Sequence, residues 1–97
     1  MGRMKAIYTE RQEWADTLAM VLDERVELLE TDHPIEWWAL RLHDGIVISK
    51  VADSHYVEPA GDPAAAVEYD PLKPEERDAT IAAFRSNRNT QNRENGN

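Results

Sequence analysis

Cysteine is absent from the 97 residues, so neither a disulfide nor a thiolate zinc site can be built, and any metal would rest on His and carboxylate ligands alone. Long apolar runs are missing too. Nothing approaches the roughly 20 residues that a helical membrane span needs, and the opening MGRMKAIYTER lacks the apolar stretch of a secretion signal. The expectation is a cytoplasmic chain with no membrane contact. Positive charge is scarce as well: 11 Lys and Arg face 19 Asp and Glu, for a net charge of −8. Such a body repels phosphate, and no basic face can be assembled, so direct nucleic-acid binding is not expected. Glycine-rich phosphate loops, a nucleophile elbow and a calcium-loop pattern do not occur. No cofactor and no small-molecule substrate are therefore expected.

The acids that are present fall in two blocks. Residues 10–36 hold nine of them against Arg11 and Arg25, and residues 53–78 hold eight against Lys73 and Arg77. Solubility accounts for such acidity in the ordinary case. The alternative is an acidic inhibitor or DNA mimic, of the kind mobile elements and phages encode, which would present Glu13, Asp16, Glu27, Glu68, Asp70 and Glu75 to a basic target.

Along the chain, MKAIY at 4–8 reads as a short apolar lead-in or edge strand. TERQ at 9–12 then fits a capping box, with Thr9 as N-cap and Gln12 reaching back. A helix is predicted over 10–23, with Trp14, Leu18, Val21 and Leu22 in one stripe at 100° per residue. Residues 25–31 fit either a continued helix or a strand. The strand is favoured, because a hairpin alone is marginal and needs a third strand or a helix.

The clearest local signal is EWWALRLHDGIVISKVA, residues 36–52, in which two alternating apolar runs flank Asp44-Gly45. This dipeptide suits a two-residue type I′ turn. With that loop, Leu42 pairs with Val47, Leu40 with Ser49, Trp38 with Val51 and Trp37 with Ala52. Neighbouring residues point to opposite faces, so Trp38, Leu40, Leu42 and Val47 would pack under the helix. Trp37, Arg41, Ile46, Ile48 and Lys50 would share the second face, with Glu36 and Lys50 on its rim.

Beyond Ala52 the periodicity fades through a stretch that carries four of the five prolines. AAVEYDP fits one more short strand, whose Val67 and Tyr69 would cover the second face. Pro74 suits the first position of a short final helix, with Glu75 and Glu76 in its first turn and Arg85 and Arg88 in its last. From Ser86 to Asn97 nearly every residue is polar, and a disordered tail is expected after a single domain of residues 1–85.

The predicted fold is α+β: an N-terminal amphipathic helix on a small antiparallel sheet built around the 36–52 hairpin, a short C-terminal helix, and the tail. The leading functional expectation is a non-enzymatic protein-interaction module or small accessory protein, binding a protein partner or itself through Trp37, Arg41, Ile46, Ile48 and Lys50. No catalytic residue stands out. A small metal-dependent enzyme would have to use His33, His55 and Asp53, which the predicted hairpin brings toward one end of the sheet.

Overall fold

The computed structural model describes residues 2–95, with side chains from Glu10 to Asn87. It is an α+β fold: α1 (Gly2–Leu22), β1 (Val26–Leu29), β2 (Trp37–Leu42), β3 (Val47–Val51), β4 (Ser54–Glu58), β5 (Val67–Tyr69) and α2 (Pro74–Asn95), with a short 3-10 turn at Pro63–Ala65. All five strands join one antiparallel sheet in chain order. Two or three strands were expected.

The first helix begins at Gly2 rather than near Glu10, so the expected edge strand at 4–8 is helical and position 9 lies inside the helix rather than at its start. Met4, Lys5 and Ala6 favour a helix, and no Gly or Pro separates them from the rest of it. Gln12 accordingly donates to Asp16 one turn on, at 2.9 Å, instead of reaching back. At the other end Asp23 takes φ 53°. Its N–H donates to Met20 O at 3.2 Å, and the Glu24 N–H donates to Ala19 O at 3.1 Å. These two bonds form a Schellman stop with aspartate in the place glycine usually holds. Residues 26–29 are thereby released as a strand, the favoured reading.

Between β2 and β3 the loop has three residues, not two. Gly45 N–H donates to Leu42 O at 3.0 Å and Leu42 N–H donates to Ile46 O at 2.8 Å, while Gly45 adopts φ 92°. This is the arrangement of a tight turn followed by a left-handed glycine, the other common short hairpin. The register therefore shifts by one: Trp37 pairs with Val51, Trp38 with Lys50, Ala39 with Ser49, Leu40 with Ile48 and Arg41 with Val47. A one-residue slip turns every side chain of one strand to the opposite face.

The shift puts all the strong apolar residues of the hairpin together. Leu40, Leu42, Ile46 and Ile48 are buried on one face with Val57 and Tyr69, under Ala15 and Leu18 of α1 and Ile81 of α2. Trp14, Leu22, Val26, Leu28 and Phe84 close the margin. Leu40, Ile48 and Val57 are wholly buried, each side chain stabilising the fold by about 1.5–3 kcal/mol before chain entropy is counted. Val21, expected in the apolar stripe of α1, is exposed instead.

The expectation that Val67 and Tyr69 cover the second face is also corrected, because β5 extends the sheet beside β4 and Tyr69 joins the core. Pro74 does open α2, with Glu75 and Glu76 in its first turn. The backbone helix then continues through Asn95, well into the segment expected to lack structure. Residues 96 and 97 of that segment lie outside the described residues.

Candidate interaction face

Each helix packs on the same face of the sheet, α1 along β1 and α2 along β4 and β5. Among the described residues no element covers the other face. The register assigns it three rows: Trp37, Val51 and Ser54; Leu29, Ala39, Ser49, Tyr56 and Glu68; and Glu27, Arg41, Val47 and Glu58. Large residues surround small ones, and Ala39 and Ser49 are buried in the middle. Trp37 and Val51 remain 36% and 44% exposed.

Local chemistry holds these residues in place. The Thr31 hydroxyl donates to Trp37 O at 2.6 Å, and the Trp37 N–H donates to His33 O at 2.7 Å, which pins the start of β2. Next to it, the Trp38 indole N–H donates to Pro34 O at 2.9 Å on the helix side. Arg41 donates to Glu27 Oε1 through Nε at 3.1 Å and Nη2 at 2.7 Å, so the cation of this face is already tied to β1. Burial pushes the Glu58 carboxyl above its ordinary range. Among the described residues no cation offsets that cost.

The expected site divides. Trp37 and Arg41 do lie on the open face, whereas Ile46, Ile48 and Lys50 belong to the helix side because of the register shift. Lys50 places its Nζ 4.7 Å from the Trp38 ring centroid, a cation–π contact. Sequence reasoning missed Val51, Val47, Tyr56 and Leu29. Strict alternation along β3 points to Val47 and Val51 once the loop is given three residues.

The chain matches no known family model, curated protein or solved structure.

The other anticipated sites are scattered. Glu13 and Asp16 are exposed on α1, Glu27 and Glu68 lie toward opposite edges of the open face, Asp70 directly follows β5, and Glu75 lies in the first turn of α2. Asp70 accepts from the Leu72 N–H at 2.9 Å, a turn-forming role. His33 sits in the β1–β2 loop, while His55 packs on Tyr69 at 5.7 Å between ring centroids. Burial first, and then Lys50, pull the His55 pKa below its ordinary value. No group of three His, Asp or Glu among the described residues converges on a metal position. Nor is any described helix long and apolar enough to cross a membrane.

On the helix side a concavity of about 480 Å³ opens beside Trp14, Trp38, His55, Tyr69 and Arg77. Its indoles are in contact, with centroids 5.9 Å apart. Arg77 is 7% exposed and its Nε donates to Asp78 Oδ1 at 3.0 Å, while its Nη2 is buried with no partner among the described residues. The open sheet face is the surface left without a cover.

Proposed function

We propose that the protein is a non-enzymatic interaction module that self-associates through the uncovered face of its sheet. The observation that carries this reading is the Trp37 and Val51 cross-strand pair, exposed at one end of a face that neither helix reaches. Tryptophan is enriched at the energetic centres of protein interfaces, and an open apolar sheet face gains by pairing with another. Arg41, Glu27 and Glu58 provide the polar margin that such interfaces carry.

Sedimentation velocity across a concentration series tests the reading. A reversible dimer is expected, weakened at least tenfold by Trp37→Ala, with an unchanged far-ultraviolet circular dichroism spectrum. A chain that stays monomeric into the millimolar range overturns it, as does a Trp37→Ala variant that fails to fold.

A further inference from the structure

We infer that two copies meet face to face about a two-fold axis lying along β3, with Arg41 of each copy set against Glu58 of the other; this rests on the self-association proposed above. Symmetric dimers join one patch to itself, so the patch must be complementary to its own rotated image. The sheet order β1-β2-β3-β4-β5 makes β3 the centre. An axis along β3 exchanges β2 with β4 and keeps every row level. Arg41 and Glu58 share a row on either side of Val47, so each cation lands on the carboxylate of the other copy.

The same operation matches size. In the next row Ala39 falls opposite Tyr56, a small side chain against a large one, Ser49 meets its own image, and at the sheet margins Leu29 falls opposite Glu68. In the last row Trp37 falls opposite Ser54, and Val51 meets Val51. A two-fold axis perpendicular to the strands does worse. It leaves Glu58 opposite Ser54 and stacks both Glu68 and Tyr56 on their own images.

Charge elsewhere does not forbid the contact. The exposed acids Glu10, Glu13 and Asp16 lie on α1 and Glu75, Glu76 and Asp78 on α2, both behind the sheet. With sheets packed about 10 Å apart and helices about 10 Å thick, the two acidic layers stand roughly 30 Å from each other. That exceeds the Debye length of about 8 Å at physiological ionic strength. Five strands spaced about 4.8 Å, of three to six residues and so about 10–20 Å long, give a footprint on the order of 350 Å² in plan. This is a small interface, suited to a weak, concentration-dependent dimer rather than an obligate one.

Charge exchange tests the arrangement. Arg41→Glu and Glu58→Arg are each expected to weaken the dimer at least tenfold by sedimentation velocity, and the double variant to return to within about threefold of the parent. Thermal melts of the single variants establish that they fold. A second readout avoids charge altogether: Val51→Cys, the sole thiol in the chain, is expected to couple to itself through a short bismaleimide. A dimer that forms normally while the double variant is no better than the singles overturns the β3 axis and leaves self-association standing. A monomer at every concentration removes both.

Discussion

Arg85 of α2 donates from Nε to Asp44 Oδ2 at 2.7 Å, fastening the last helix to the loop between β2 and β3. Its Nη1 and Nη2 reach the two Glu24 oxygens at 2.9 and 2.7 Å, so the same guanidinium also holds the end of α1. His43 Nδ1 lies 2.9 Å from Glu24 Oε1. Three parts of the fold converge on one side chain. Arg85→Met is expected to cost about 2 kcal/mol, between the value of an exposed pair and that of a fully buried one. Urea denaturation monitored by circular dichroism measures it.

The same cluster sets an acid limit. Arg85 hydrogen bonds hold the Glu24 carboxyl below its ordinary range. For Asp44, burial pushes upward, but the Arg85 hydrogen bonds and charge outweigh it and the net shift is also down. A carboxylate with a depressed folded-state pKa contributes stability that is complete above its unfolded value, near pH 4, and is lost as pH falls through the depressed value. The parent should therefore lose stability steadily below about pH 4. The gap between parent and Arg85→Met should close over the same interval, as chemical denaturation at a series of pH values would record.

Gly45 is required twice over. Its φ of 92° is one that residues with a Cβ rarely adopt, and an added Cβ would stand 3.0 Å from Ala60 Cβ. Gly45→Ala is expected to cost about 1–3 kcal/mol. The urea midpoint should fall with an unchanged slope.

The register has its own test. Ile48→Glu puts a carboxylate at a position with no exposure and is expected to abolish folding, since an unpaired buried charge costs more than a domain of this size can spare. Val51→Glu, on the opposite face, is expected to stay within about 1 kcal/mol of the parent while losing the dimer. Circular dichroism separates the first effect, and light scattering after size exclusion the second. Had the hairpin closed on two residues, Ile48 would be the variant that spared the fold.

The hairpin shows what the sequence made legible and what it concealed. Alternation over Trp37–Leu42 and the Asp-Gly pair located both strands and the bend. They did not settle whether His43 belongs to strand or loop, and one residue decides which face every side chain of β3 takes. A test was nevertheless present in the letters, because only the three-residue loop puts Leu40, Leu42, Ile46 and Ile48 on one side. Burying the whole apolar set outweighs the local preference for a two-residue turn. At Asp23 the stop was harder to see, since aspartate adopts the left-handed conformation less often than glycine and nothing nearby advertises it. As for the open face, Trp37 was identified from its neighbour alone. Tyr56 and Glu58 could not be, because their strand lies in a stretch whose prolines obscure the alternation.

Strand order that follows chain order has a kinetic meaning. Each strand meets its neighbour after a short connection, so the sheet can zip from the 43–45 loop outward in both directions without waiting for distant segments to find each other. The long-range stitch is Arg85 to Glu24, separated by 61 positions, and it closes only when α2 lies down on a finished sheet. A refolding experiment should therefore find Arg85→Met speeding unfolding while leaving the folding rate nearly untouched.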